Sequence, residues 1–131
     1  MLKSFFLLGL ISGLISSLVG GVYTYFFYRD LFDFSLVLPL WKIFSVYFSL
    51  GLLSAGLYFM LVHFSPKYGQ LLFNLKFSSI AILSILVPIN VKVPNVEYPE
   101  IYPVFVIPLH LFFSVIFLAL SPILIKNKLK K

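Results

Sequence analysis

Apolar residues form four nearly unbroken runs along the chain, at residues 5–27, 40–61, 70–89 and 104–125. Each run has about the 20 residues that a helix rising 1.5 Å per residue needs to cross a hydrocarbon layer of roughly 30 Å. Backbone amides in lipid must be paired within their own element, so continuous runs of this length favour helices over the roughly 10-residue alternating strands of a barrel. The pattern predicts an all-α fold, a four-helix transmembrane bundle.

The composition leaves room for one membrane domain and nothing more. The chain has 131 residues, of which 61% are hydrophobic and 11% are charged, well outside the range of soluble domains. We therefore expect a single integral membrane domain over residues 1–131. The first run is predicted to be a retained anchor, because it continues beyond the 7–15 residues of a signal-peptide core and ends in bulky residues at 23–28.

The charges predict the orientation of the runs, which we expect to form two hairpins. Lysines gather on the side that holds both termini and the connection between the second and third runs: Lys3, Lys67, Lys76, Lys126, Lys128, Lys130 and Lys131. The opposite side holds Arg29, Lys42 and Lys92 together with every carboxylate. Lysine and arginine concentrate in cytoplasmic loops, so both termini are predicted to be cytoplasmic.

The net charge of +6 is explained by this uneven distribution of charges across the membrane and does not indicate nucleic-acid binding. The lysine tail at 126–131 has no interleaved aromatic residues and is expected to rest on anionic headgroups, so the predicted partner is the lipid bilayer. The composition is rich in lysine and phenylalanine and poor in alanine, and the stretch Pro108–Phe113 reads Pro-Leu-His-Leu-Phe-Phe. In this the chain resembles small four-span proteins of AT-rich bacteria, which implies a bacterial cytoplasmic (inner) membrane.

Aromatic side chains are frequent near the predicted ends of the runs. An amphipathic ring at such a position places its apolar body in acyl chains and its polar tip among headgroups. We therefore expect an interfacial belt made of Tyr23, Tyr25, Tyr28, Trp41, Tyr47, Tyr58, Tyr68, Tyr98 and Tyr102.

Small residues recur every four positions in the first run. They are Gly9, Gly13, Ser17 and Gly21, and the second run has a matching pair at Gly51 and Ala55. In lipid, small residues at this spacing let helix backbones approach closely. The first helix is therefore predicted to pack on protein, either the second helix or another chain.

Polar residues inside a membrane are the natural candidates for function, because a charge at the bilayer centre costs at least a few kcal/mol. Asn74 and Lys76 lie just inside the third run, where snorkelling of the lysine and a pore or partner contact are both open. His110 lies inside the fourth run. A candidate outer polar cluster would join this imidazole to loop residues, namely Arg29, Asp30, Asp33, Glu97, Glu100 and His110; a histidine bonded to a backbone carbonyl is the alternative.

No catalytic, cofactor or metal site is predicted. The chain has no cysteine, the carboxylates lie in loops or at run ends, and no Ser-His-Asp order falls at one depth, so we do not expect an enzyme. His63 and His110 are separated by about 20 Å along the bilayer normal, judged from a helical rise of 1.5 Å per residue, which is too far for them to ligate one haem iron. A haem-binding anchor subunit is a distant alternative.

The sequence thus favours binding over chemistry. The preferred function is a small non-catalytic polytopic membrane protein, a subunit or accessory protein of a larger membrane assembly that docks through its first helix. Expected partners are other membrane protein subunits or further copies of the chain, and no nucleic acid. The alternative is a small oligomeric transporter or channel for an ion, a proton or a small solute.

Overall fold

The computed structural model describes residues 2–35, 38–90 and 99–129, the last four of these by their backbone alone. The helices are α1 (Leu2–Asp30), α2 (Leu40–Phe64), α3 (Gly69–Ser84), α4 (Leu86–Asn90) and α5 (Tyr102–Leu129). No strand occurs in these three ranges. The prediction of an all-α fold is confirmed.

Four helical stretches are long and apolar enough to cross a membrane: Leu2–Asp30, Leu40–Phe64, Gly69–Asn90 and Tyr102–Ile125. They correspond to the four predicted runs. The chain therefore has the architecture of an integral, multi-pass helical membrane protein.

The third stretch is interrupted, which the apolar pattern did not indicate. Ile85 forms a turn between α3 and α4, and its amide bonds to the carbonyl of Ile82 at 3.2 Å in the tighter pattern of a 3₁₀ turn. The cause lies three residues further on, at Pro88. Proline lacks an amide hydrogen and its ring collides with the carbonyl four residues back, which here belongs to Ser84.

Other prolines are accommodated differently. Pro39 lies at the cap position of α2 with an extended ψ of 158°, and α2 begins at Leu40. Pro122 lies inside α5, where it leaves the carbonyl of Leu118 without its helical donor. The hydroxyl of Ser121 donates to that carbonyl at 3.2 Å, so α5 continues to Leu129.

Small residues bring α1 and α2 together. An ideal Cβ placed on Gly9 would lie 2.7 Å from the carbonyl oxygen of Gly51 and 2.9 Å from Cβ of Ala55, and one on Gly13 would lie 3.2 Å from the carbonyl oxygen of Tyr47. Only residues with little or no side chain permit this approach. The small-residue face of α1 is thus occupied within the chain, by the face of α2 that the sequence indicated.

Aromatic side chains fill the bundle at both ends. At one end, which we call the Phe34 end, the buried rings of Phe34 and Phe105 stack with centroids 5.8 Å apart, and Phe27 packs on Phe105 at 4.6 Å. At the other, the Gly69 end, Tyr58 stacks on Phe73 at 4.4 Å. Aromatic pairs at such distances add roughly 0.5–1.5 kcal/mol each beyond their buried area.

The interfacial belt is wrong for two of its predicted members. Tyr58 is fully buried and Tyr47 is 5% exposed, and the Tyr47 hydroxyl donates to the carbonyl of Leu109 in α5. Tyr23 likewise donates to the carbonyl of Phe105 at 3.1 Å. Tyr47 and Tyr58 therefore lie inside the bundle instead of facing headgroups, and the hydroxyls of Tyr23 and Tyr47 each join their helix to α5.

Candidate functional site

A groove lies between α2, α3 and α5. Its volume is about 570 Å³, within the range of roughly 300–1,000 Å³ that small-molecule sites occupy. Its lining is contributed by Leu38, by α2 (Ile43, Val46, Tyr47, Leu50, Leu53, Ser54 and Leu57), by α3 (Phe77, Ile80, Ala81 and Ser84) and by α5 (Tyr102, Val106, Leu109, His110, Phe113 and Ser114).

The groove exists because α3 packs closely on α2 at its start and diverges from α2 beyond Phe77. Near its start, Gly69 lies so close to α2 that an added Cβ would fall 2.4 Å from the carbonyl oxygen of Leu61. Phe77 packs on Phe117 of α5 at 5.2 Å. Only 11% of the most apolar stretch of the third span is buried, compared with 44% for the first span. The side of α3 that faces α2 beyond Phe77 is therefore left open.

The open wall of the groove is apolar and lies on the outside of the helix bundle. Leu53 and Ile80, which stand on opposite sides of it, are 65% and 66% exposed. In a membrane these side chains meet lipid and not water, so a molecule already dissolved in the hydrocarbon layer reaches the groove without crossing a headgroup region.

His110 and Ser84 provide a polar point in this apolar wall. Nδ1 of His110 lies 3.2 Å from Oγ of Ser84, and the Ser84 hydroxyl itself bonds to the carbonyl of Ala81 at 2.7 Å. A hydroxyl has a single hydrogen to donate. The ring hydrogen of the neutral imidazole is therefore assigned to Nδ1, which donates it to the Ser84 hydroxyl. Nε2 then carries no hydrogen and is a hydrogen-bond acceptor.

Nε2 of His110 has no hydrogen-bond partner among the described residues. Ser54, which lies deeper in the groove and is 7% exposed, also has no hydrogen bond to any described side chain or carbonyl. The third serine of the groove, Ser114, donates its hydroxyl hydrogen to the carbonyl of His110 at 3.4 Å. Nε2 of His110 and the hydroxyl of Ser54 are thus available to a molecule bound in the groove.

The predicted outer polar cluster is not assembled by the described residues. Arg29 pairs with its neighbour Asp30 at 3.7 Å, with both side chains largely exposed, and Asp33 accepts a bond of 2.8 Å from the amide of Ser35. Glu100 is exposed. Glu97 lies outside the described residues.

His110 therefore has Ser84 as its neighbour and no described carboxylate. The alternative expectation, a bond from the imidazole to a backbone carbonyl, is also not what the structure gives, because the partner is a side-chain hydroxyl. Within the described ranges no three histidine, cysteine or carboxylate side chains are close enough to hold a metal ion.

The inner polar candidates are separated by their environments. Lys76 is exposed on α3, where its long stem can carry the ammonium group to the headgroup layer. Asn74 is half-buried and its Oδ1 has no hydrogen-bond partner. The hydroxyls of Ser16, Thr24 and Tyr58 share this condition. His63 is exposed and stacks on Phe59 at 5.7 Å.

The remaining predicted packing residues divide into two groups. Ser17 is buried and its hydroxyl donates to the carbonyl of Gly13 at 2.7 Å. Gly21, at the end of the row, lies at the edge of the α1–α2 contact beside Phe44, in ordinary van der Waals range. A shallow notch of about 280 Å³ opens there to the outside, lined by Leu18, Gly21, Val22, Tyr25, Phe26, Leu40 and Phe44.

No protein-family model, no curated protein and no solved structure matches this chain.

Sequence reasoning identified His110 but not the groove. Ser84, Ser54 and Ala81 were ordinary members of apolar helices, and only the divergence of α3 from α2 brings them to one surface. Pro88 was the available signal, because a proline four residues after Ser84 ends the helix at that serine.

Proposed function

We propose that this chain is a small, non-catalytic, multi-pass membrane protein that binds a membrane-dissolved molecule in the groove between α2, α3 and α5. The observation that carries this proposal is the groove itself. It combines an apolar wall, a volume of about 570 Å³ and an imidazole with a free acceptor atom. Such a combination of apolar lining with a few converging polar groups is typical of small-molecule sites.

The proposal includes an orientation. We infer two hairpins, α1 with α2 and the third span with α5, and both termini on the cytoplasmic side of a bacterial inner membrane. The contacts of Gly9 with Gly51 and of Gly21 with Phe44 support the first hairpin. The exposed Lys67 and Lys76 near the Gly69 end support a cytoplasmic position for that end. The groove, which reaches Leu38 and Tyr102, would then open toward the outer leaflet.

Native mass spectrometry of the gently extracted protein tests this proposal. We expect the wild-type chain to retain a bound apolar molecule of defined mass. Ala81→Phe places a ring in the groove and should remove that mass. Ala119→Phe makes the same change on an exposed position of α5 outside the groove and should retain it. Retention of the molecule by Ala81→Phe at the wild-type level would refute the proposal.

The notch beside Gly21 favours a second candidate function, in which the protein is a subunit or accessory protein of a larger assembly that docks through its first helix. The rest of the small-residue face is occupied by α2. The notch is the part of this row that stays open to the outside, and its 280 Å³ has room for side chains of a partner helix.

Co-purification of a tagged chain tests the second candidate. Gly13→Leu is unsuitable, because the side chain would collide with the backbone of α2. Gly21→Leu places a side chain in the notch, and its Cβ meets Phe44 at an ordinary 3.4 Å. Gly56→Leu is the matched control, since an added Cβ there has nothing within 4 Å. We expect Gly21→Leu alone to lose the partner; equal co-purification by both variants would refute docking at the notch.

A further inference from the structure

Resting on the proposed binding function, we propose that the occupant of the groove is an uncharged, long-chain lipid whose head is a free hydroxyl. The hydroxyl would donate its hydrogen to Nε2 of His110, and the chain would lie along the apolar walls of α2 and α3. The proposal names a chemical class, the neutral lipid alcohols, that fits the size, charge and hydrogen-bonding character of this groove.

The size and lining of the groove suit a lipid chain. The groove has a volume of about 570 Å³, within the range of roughly 300–1,000 Å³ that small-molecule sites occupy. Its lining is mostly aliphatic and aromatic side chains of α2, α3 and α5. A single extended hydrocarbon chain fits such a lining without any movement of α3.

The absence of charge in the lining favours a neutral head. None of the described residues that line the groove is an aspartate, glutamate, lysine or arginine. A carboxylate or phosphate head would lie unpaired in a region of low dielectric constant, at a cost of several kcal/mol. An uncharged head needs only hydrogen bonds.

The tautomer of His110 favours a lipid head that donates a hydrogen bond over one that only accepts. The Ser84 hydroxyl directs its hydrogen to the carbonyl of Ala81, so Nδ1 of His110 carries the ring hydrogen and Nε2 accepts. A hydroxyl on the lipid satisfies Nε2. An ether or ester oxygen at the same place brings two acceptors together and leaves Nε2 unsatisfied.

The depth of His110 suits this arrangement. His110 is eight residues after Tyr102, the start of α5, which is about 12 Å at helical rise. Leu53 and Leu57 of α2 lie further along the groove toward the Gly69 end. A bound lipid with its hydroxyl at His110 and its chain running toward these leucines would have the same orientation as the surrounding bilayer lipids.

Photo-crosslinking in nanodiscs tests the inference on the full-length chain. The probe is a long-chain alcohol with a diazirine in its chain, and the cross-linked peptides are mapped by mass spectrometry. We expect adducts on α2 and α3 peptides that line the groove, loss of these adducts in Ala81→Phe and their retention in Ala119→Phe. Circular dichroism checks that both variants keep their helical content.

Competition between the probe and unlabelled lipids identifies the head group that the groove prefers. Oleyl alcohol should displace the probe at about 2- to 10-fold lower concentration than oleyl methyl ether, because one hydrogen bond separates them. Oleate should compete more weakly than the alcohol. His110→Leu and Ser84→Ala should both abolish the preference for the alcohol, whereas His110→Gln should keep part of it. Ser79→Ala is the control and should keep the whole preference, because Ser79 lies outside the groove and bonds to its own helix.

The outcomes separate this inference from the binding function on which it rests. Adducts that avoid the groove peptides, or that persist in Ala81→Phe, would overturn both. Groove adducts with equal competition by the alcohol and the ether, with stronger competition by oleate, or with an unchanged preference in His110→Leu would overturn the hydroxyl lipid alone. Adducts replaced by a co-purified polypeptide on the same residues would also overturn it.

Discussion

Gly51→Ala tests whether close backbone approach holds α1 against α2. A Cβ at this position would lie 2.3 Å from the carbonyl oxygen of Gly9, and 3.2 Å from both Cα and N of Gly13. Ordinary contact begins near 3.4 Å, so the helices must separate by about 1 Å, a gap at which van der Waals contacts lose a quarter to a half of their energy.

The magnitude follows from two opposing effects. Overpacking of a tight interface costs about 1–3 kcal/mol, and replacing a helical glycine by alanine returns about 0.5–1 kcal/mol through backbone entropy. We expect Gly51→Ala to be less stable than the wild type by about 1–2 kcal/mol. Gly56→Ala, on the same helix with open space around it, should be more stable by about 0.5–1 kcal/mol.

Unfolding in mixed micelles with increasing SDS measures both free energies against the wild type. The difference between the two alanine variants, about 1.5–3 kcal/mol, is the informative quantity because the helix-propensity gain is common to both. Equal stability of Gly51→Ala and Gly56→Ala would show that the α1–α2 contact does not need the glycine.

Three further variants probe the polar groups. Thr24→Val replaces a fully buried hydroxyl that has no partner, so stability should stay the same or rise by up to about 1 kcal/mol in the SDS titration; a loss of that size would show that the hydroxyl is bonded. Tyr47→Phe removes the donor to the Leu109 carbonyl and should cost about 0.5–1.5 kcal/mol, whereas wild-type stability would mean that the bond contributes nothing. Hydrogen bonds from Ser35 lower the pKa of Asp33. The stability that these bonds give is present above the ordinary carboxyl pKa and is lost as the pH falls through the lowered pKa of Asp33. Ser35→Ala should raise the pKa of Asp33 in an NMR titration, and an unchanged pKa would contradict the role of Ser35.

The number and type of the long helices were predictable from the sequence. Length and apolarity of each run determine whether a segment can cross a bilayer, and both are local properties. The seam between α1 and α2 was also visible, because Gly9, Gly13, Gly51 and Ala55 recur at the spacing that small-residue packing requires. The sequence left open whether α2 or another chain would fill this seam.

The candidate site was much less predictable. His110 was noticed as an imidazole inside a span, but its expected neighbours were loop carboxylates. The hydrogen bond to Ser84 joins α3 to α5, and such a pairing depends on how far one helix slides and tilts against another. Tyr47 and Tyr58 were misassigned to the interface for the same reason, since position along a helix does not give the direction in which a ring points.

The sequence by itself therefore determined that this chain forms long apolar helices and that α1 carries a face of small residues, because these follow from hydrophobicity and spacing along one helix. Only the tertiary structure decided that α2 fills that face, that α3 diverges from α2, and that the resulting groove presents the free nitrogen of His110. These features arise from packing between helices, where a few ångströms decide whether a surface is closed or open.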